Sequence, residues 1–372
     1  MERENTEEHS DAAQVSAKVE FPCDNCGASM TWDPKADSLA CGYCGHQVEV
    51  PREDALIIER ALEDAGDAIR GYGVEVRVAK CQGCGARVTY DGASTSDICV
   101  YCGEPTVLAQ EANRNAIRPE SLVPLDVDRA LVQKNFEEWI QGLWFRPNEL
   151  KKTKRFDAAG VYVPFWTFDC HAHSDWAADA GYYYYVTETY TVNVNGKTET
   201  RTRQVRKTRW QPAWGSRDDR YDDILINASF GVPEKLVRKL GDFNTKQLVA
   251  YRPEFLAGWR AEEYQVDLEQ GWNSAHKIVV DTQRSRCSGD VPGDTQRNLR
   301  VKNHVTDVRW KHILLPLWSV QYRFNKKTYT VLVNGQTGRV VGDAPYSWIK
   351  IVLFILTIAA VIGTIVVIAK AR

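Results

Sequence analysis

The chain has 372 residues, a formal net charge of -2, 44% hydrophobic and 26% charged residues. That length allows two or three domains with a core of ordinary size. The near-neutral balance gives no whole-protein reason to expect a polyanion as partner. Of ten cysteines, eight fall into four C-x-x-C pairs, which in a large chain fits reduced cytosolic thiolates better than a disulfide framework.

Met1 to Glu20 is polar, with six acidic and two basic residues, and reads as a disordered acidic tail (residues 1–20) rather than a signal peptide. Residues 21–50 then carry Cys23-Asp-Asn-Cys26 and, after fourteen intervening residues, Cys41-Gly-Tyr-Cys44. Residues 51–73 read as a linker helix over Pro51 to Arg70, with Pro51 in its first turn and Gly71 and Gly73 at its exit. Residues 74–109 open on a strand marked by Val74, Val76 and Val78, then repeat the knuckles as Cys81-Gln-Gly-Cys84 and Cys99-Val-Tyr-Cys102. Each cysteine of the second set lies 58 positions after its counterpart. The neighbours repeat as well: Gly27 with Gly85, Thr31 with Thr89, Trp32 with Tyr90, Tyr43 with Tyr101, Gly45 with Gly103. This is a duplicated module.

Residues 110–345 read as a mixed domain. Asp126 can cap a helix running to about Trp144, with Pro147 as its stop. Val161 to Trp176 reads as a strand, and Tyr182 to Arg209 as a hairpin turning at Asn195-Gly196. Pro233 to Leu240 is a short helix closed by Gly241. Ala261, Tyr264, Leu268, Trp272, Ala275 and Val279 recur at helical spacing, which predicts a long amphipathic helix. Ile313 to Phe324, Tyr329 to Val333 and Arg339 to Val341 read as strands, the last two joined by a turn at Asn334-Gly335. The expected class is α+β: two small all-β zinc ribbons, a mixed central domain and one transmembrane helix. That helix lies in residues 346–372, where Ile351 to Ala369 is an uncharged run of nineteen residues. Such a run spans roughly 28 Å, with Tyr346 and Trp348 at an interfacial belt and lipid contact expected over residues 349–369.

A C-x-x-C knuckle folds two thiolates toward one ion, and two knuckles complete a tetrahedral site. The expected metal ligands are Cys23, Cys26, Cys41 and Cys44 for one zinc, and Cys81, Cys84, Cys99 and Cys102 for a second. Gly27, Gly45, Gly85 and Gly103 permit the positive φ such knuckles need. Four protein ligands leave no open position, so both zinc ions are expected to be structural. A thioredoxin-like reading would need the motif at a strand-helix junction. Ribbons often bind nucleic acid, but residues 21–50 hold Asp24, Asp33, Asp37 and Glu49 against Lys35 alone. Residues 74–109 are also slightly acidic, which disfavours nucleic acid and favours a protein partner.

The basic element is the hairpin, where alternation puts Arg201, Arg203, Lys207 and Arg209 on one face. A solvated face, anionic lipid headgroups and nucleic acid are its three readings. Asp169, His171, His173 and Asp175 share one strand face, while Cys170 points the other way with Phe168, Ala172 and Trp176, so a polar outer face is expected there rather than a third metal site. Cys287 has no partner pattern. Neither a P-loop nor a G-x-S-x-G elbow occurs, so no helicase, hydrolase or other enzyme activity is expected. Ala359 and Gly363 form a small-xxx-small pair that would suit a homo-oligomer.

The paired ribbons, Val163-Pro-Phe-Trp166, Tyr251-Arg-Pro-Glu-Phe-Leu-Ala-Gly258, Leu314-Leu-Pro-Leu-Trp318 and Val333-Asn-Gly-Gln-Thr-Gly338, with the terminal span, resemble a family of bacterial zinc-ribbon membrane proteins. Its members carry transcription-factor-type or primosomal-helicase-like labels, and some sit with phage-shock-type and flotillin-like envelope-stress systems. The resemblance implies recruitment of a soluble partner to the membrane and brings no catalytic residues. The expectation is a single-pass adaptor at the inner (cytoplasmic) membrane, its N-terminal bulk in the cytoplasm, docking a cytoplasmic or membrane-associated protein. A membrane-tethered nucleic-acid binder is the alternative.

Overall fold

Between Val161 and Phe168 almost every side chain is apolar, so the strand that holds them must be covered on both faces. The computed structural model places this stretch at the centre of one large sheet. It describes residues 21–52, 57–71, 77–90, 98–104, 107–111, 113, 115–152, 157–194, 197–241, 243–325 and 327–371. The expected tail and the Asn195-Gly196 turn lie outside the described residues.

The first small sheet holds β1 (Met30–Asp33), β2 (Ser38–Cys41) and β3 (Gln47–Val48), paired antiparallel in that order. After β4 (Arg60–Ala61) comes a second small sheet of β5 (Arg77–Cys81), β6 (Arg87–Tyr90) and β7 (Val107–Glu111), with β5 in the middle. The central region follows as β8 (Ser121–Leu122), α1 (Arg129–Gly142), β9 (Asp157–Val194), β10 (Lys197–Asn227), α2 (Glu234–Lys239), β11 (Val249–Ala250), β12 (Arg260–Ala261), α3 (Leu268–Asp290), β13 (Thr295–Phe324), β14 (Lys327–Asn334) and β15 (Val340–Gly342). The chain closes on α4 (Trp348–Ala371). The class is α+β. The main antiparallel path runs β10-β9-β13-β14-β15, with β4, β8, β11 and β12 added as short pairings.

Strand β9 is 38 residues long, about 125 Å of contour, and its burial changes in three steps. Val161, Tyr162, Val163, Phe165, Trp166 and Phe168 are buried on both faces. From Cys170 the pattern alternates: Ala172, Ser174, Trp176, Ala178 and Ala180 are buried while their neighbours face outward. Helix α3 lies against β9, β10 and β13. Its buried stripe is Leu268, Gly271, Ala275, Val279, Gln283 and Cys287, one residue per turn. Gly271 is required by proximity, since a Cβ there would come within 2.8 Å of the Trp166 ring. Beyond α3 the β9-β10 ribbon continues from Tyr182 and Arg209 outward, exposed or partly exposed on both faces.

The long strands bend at bulges on both sides of β9. Opposite Asp169, β10 inserts an extra residue between Tyr221 and Ile224, and opposite Cys170, β13 does so between Thr306 and Arg309. Each irregularity holds an acidic residue in the left-handed region, Asp223 at φ 51° and Asp307 at φ 50°. Asp and Asn tolerate that conformation better than other non-glycine residues.

Several expectations change here. Residues 57–71 are not helical as a linker: Arg60 and Ala61 pair with Trp310 and Arg309, and Leu62–Asp67 forms a 3-10 turn. The α1 cap is Asp128, whose carboxylate accepts from Leu131 N at 2.7 Å, while Asp126 donates its own N–H to Gly335 O. Helix α3 begins after Asp267, which caps it through Gln270 N at 2.8 Å. Ala261 belongs instead to a short strand against β9, and Tyr264 precedes the helix.

Candidate metal centres

The two small sheets bring each set of four cysteines together. Cys23 and Cys44 have sulfurs 3.6 Å apart, and Cys26 and Cys41 3.5 Å. In the second set Cys81 and Cys102 are 3.5 Å apart, and Cys84 and Cys99 3.6 Å. Within each tetrad all four sulfurs lie within 4.8 Å of one another. The knuckles close as the repeat predicts. Gly27, Gly45, Gly85 and Gly103 donate to the carbonyls of Cys23, Cys41, Cys81 and Cys99, with φ between 74° and 80°.

The donor set fits a metal ion. Metal–sulfur bonds of about 2.3 Å in a tetrahedron give sulfur–sulfur edges of about 3.8 Å, whereas a disulfide needs about 2.05 Å. The observed edges match the former. Charge argues the same way. Cys99 shares a hydrogen bond with Cys84, which holds the Cys99 thiol down at about 5 and pushes the Cys84 thiol far up. The His46 N–H holds the Cys44 thiol down at about 6. Crowded sulfurs cannot all ionise on their own, and a cation at the centre is what lets four thiolates coexist. Each tetrad could therefore hold a metal ion, with an edge length consistent with zinc.

Both ribbons are attached to one short segment of the central region, Ala257 to Glu263. In the first ribbon Trp32 is buried, its N–H donating to Ala257 O at 2.9 Å and its indole Nε1 to Leu125 O at 3.3 Å. The Trp32 carbonyl accepts from Trp259 Nε1 at 3.2 Å, and its ring meets Phe255 edge-on at 4.8 Å. In the second ribbon Ala261 N donates to Thr89 Oγ1 at 2.8 Å, and Glu263 N to Arg87 O at 2.8 Å. Arg87 Nε returns a bond to the Glu263 carboxylate at 2.8 Å.

The two repeats differ at their second knuckles. Tyr101 is 3% exposed, while its counterpart Tyr43 is 86% exposed. Tyr101 Oη donates to Glu262 Oε2 at 2.8 Å, and Ser229 Oγ donates to the same oxygen at 2.6 Å. Burial pushes the Glu262 carboxyl up to about 7. The knuckle backbone is also held by the sheet: Gln321 Nε2 donates to Cys99 O at 2.6 Å, Ser319 Oγ to Val100 O and Thr330 Oγ1 to Tyr101 O. Trp32, Tyr101, Glu262 and Glu263 were not singled out as attachment residues by sequence. The adjacent Glu262-Glu263 pair, at the foot of an apolar stretch, was the available signal.

The remaining sequence candidates do not assemble into sites. Cys170 is buried, and His171 and His173 face outward as expected. His173 Nδ1 lies 2.8 Å from Asp218 and its Nε2 3.5 Å from Asp175. Cys287 is a buried core residue of α3. Asp169, Asp222 and Asp223 cluster at the β10 bulge. The ammonium of Lys311 already reaches Asp223 at 2.9 Å and Glu59 at 2.8 Å, so a protein cation occupies the edge of this cluster. On the distal ribbon Arg201, Arg203, Lys207 and Arg209 share one face, as alternation predicts. Arg203 and Lys207 both pair with Glu188, and Arg201 pairs with Glu199.

The chain is 26% identical over 346 residues to the uncharacterized protein YdjG of Bacillus subtilis (strain 168), an alignment covering 92% of this chain and 94% of that protein. No family model matches the chain, and no solved structure matches it. The likeness to YdjG runs far beyond the two cysteine segments. At the other end of the chain, Trp348–Ala369 of α4 is one helix long and apolar enough to cross a membrane, with none of its most apolar stretch buried. The tetrads and this candidate span together fit a membrane-anchored zinc-binding protein.

Proposed function

We propose that this protein is a membrane-anchored zinc-ribbon adaptor that docks a cytoplasmic partner protein at the inner membrane. Two structural zinc ions hold the ribbons, and α4 holds the assembly to the bilayer. The observation that carries the docking role is the contrast between the repeats. One second knuckle is consumed by attachment to the sheet through Tyr101, while the other presents Tyr43, 86% exposed, on a metal-stiffened tip. Rigid aromatic side chains at such tips are what protein interfaces bury at their centres. Four thiolate ligands leave no open coordination position, which supports a binding rather than a catalytic role. The envelope-stress setting implied by the family resemblance belongs to this reading.

The test is affinity purification of the full chain from detergent-solubilised membranes, with and without Tyr43→Ala. A tip tyrosine at an interface centre contributes about 2 kcal/mol or more, so the variant should retain at least about 30-fold less partner. Its metal content should be unchanged. Identical retention by both chains would contradict the docking role of this knuckle. The nucleic-acid alternative has weaker support, because three of the four cations on the distal ribbon face already have carboxylate partners.

A further inference from the structure

The corner that follows α1 is fastened to the start of α4, although some 200 residues separate them in sequence. Ser347 N donates to Phe145 O at 2.8 Å, and Lys350 Nζ donates to Asn148 Oδ1 at 2.7 Å and to Trp144 O at 3.3 Å. The Arg146 guanidinium lies 3.6 Å from the Tyr346 ring centroid. Phe145 meets Phe354 edge-on with centroids 5.2 Å apart, which carries the contact past the first turn of α4. These contacts set the corner level with the entrance of the apolar span. At that level Trp144 is 74% exposed, and Tyr346 and Trp348 are exposed beside it. The corner continues into a 3-10 turn, Asn148–Lys152, ending on Lys151 and Lys152.

We propose that residues 144–152 are a second membrane-contacting element, seated in the headgroup layer of an anionic bilayer at the foot of α4. Trp144 supplies an amphipathic ring of the kind that settles at the membrane–water interface, alongside Tyr346 and Trp348. By sequence, residues 144–152 carry three basic residues, Arg146, Lys151 and Lys152, against the single acidic Glu149. Each basic residue held near an anionic surface is worth about 1 kcal/mol, about five-fold in partition. The fastening matters because it removes slack: α4 is no loose tether, and its entry into the bilayer brings the corner to headgroup depth. The proposal rests on reading α4 as a membrane span.

The test is hydrogen–deuterium exchange of the full chain in lipid nanodiscs made from phosphatidylcholine alone or with phosphatidylglycerol added. Amides of residues 144–152 should exchange at least about five-fold more slowly in the anionic discs. Combining Lys151→Glu with Lys152→Glu should abolish that difference while leaving exchange in α3 and α4 unchanged. Equal exchange in both lipids, as for a solvated corner or one reserved for a protein, would overturn the proposal. The amides of Ile351–Ala369 test the underlying reading separately. Protection there with an indifferent corner removes only the second element, and a chain that does not enter the discs removes the span and the proposal together.

Discussion

Replacing Cys81 and Cys84 with serine is expected to destabilise the central sheet as well as the second ribbon. Structural zinc in isolated fingers contributes an apparent 10–16 kcal/mol, and a module this small has little else to hold it. Here the module is also part of a larger core. Cys81, Ala86, Cys99, Val100 and Tyr101 sit in one apolar cluster with Val123, Val163, Ile313, Leu315 and Leu332. When the knuckle opens, Glu262 loses the Tyr101 hydroxyl and stays buried with its charge harder to support. Gln321, Ser319 and Thr330 lose the carbonyls they hold. Glu262 keeps the Ser229 hydroxyl, so losing one donor to its buried carboxyl costs about 1–3 kcal/mol, and each of the other three lost hydrogen bonds adds about 1 kcal/mol. A loss of about 5 kcal/mol corresponds to a fall of about 10–20 °C in Tm for a domain of this size. Thermal unfolding of the detergent-solubilised chain should show it. The matched change, Cys23 and Cys26 to serine, should cost less, because the tip of the first ribbon's second knuckle, residues 42–45, is exposed where that of the second is buried at Tyr101. If both variants melt within a degree or two of the parent, the ribbons are independent beads and the integrated picture is wrong.

A chain ending at Pro345 is expected to move from the membrane fraction to the soluble fraction. At 22 residues the apolar part of α4 extends about 33 Å, enough for the hydrocarbon layer. Its side chains from Val352 to Ile368 are largely exposed, and the Phe145 contact with Phe354 is the one aromatic contact they make among the described residues. In water such a surface would aggregate, and its removal should leave a dispersed protein. The cost in fold stability should be small, since what is lost at the corner is a few surface contacts. Carbonate extraction followed by ultracentrifugation distinguishes the outcomes. Full chain in the pellet with truncated chain in the supernatant is the expected result. A truncated chain that still resists carbonate would show that α4 is not the anchor. Weak, salt-sensitive attachment of the truncated chain would instead be the residue of the basic corner at 144–152.

The metal centres were legible in the sequence because all four ligands of each set lie within about twenty residues, and spacing within a knuckle is a local property. The four glycines after the knuckles were legible for the same reason. What sequence concealed was anything set by distant partners. The stretch from Pro51 to Arg70 has helical composition, yet Arg60 pairs with Glu120 at 2.8 Å and Trp310 Nε1 donates to Ala61 O at 3.1 Å, and those contacts override propensity. The span from Ala261 to Val279 mixes a two-residue strand with a helix that starts at Leu268, and apolar periodicity ran across the join. The long strands were recovered only in pieces, because their pattern changes from apolar on both faces, to alternating, to polar as β9 leaves the core. Tyr43 and Tyr101 look equivalent in the repeat. Only the fold shows that one is spent on Glu262, 161 residues away, and the other is free.

On the proposed reading, two closed tetrathiolate zinc sites organise the part of the chain that precedes α4. Elemental analysis of the full chain, purified in detergent without added metal, tests it most directly. Two zinc ions per chain are predicted, falling to one when Cys23 and Cys26 are replaced by serine. A chain free of metal, with its cysteines paired as disulfides, would contradict the account.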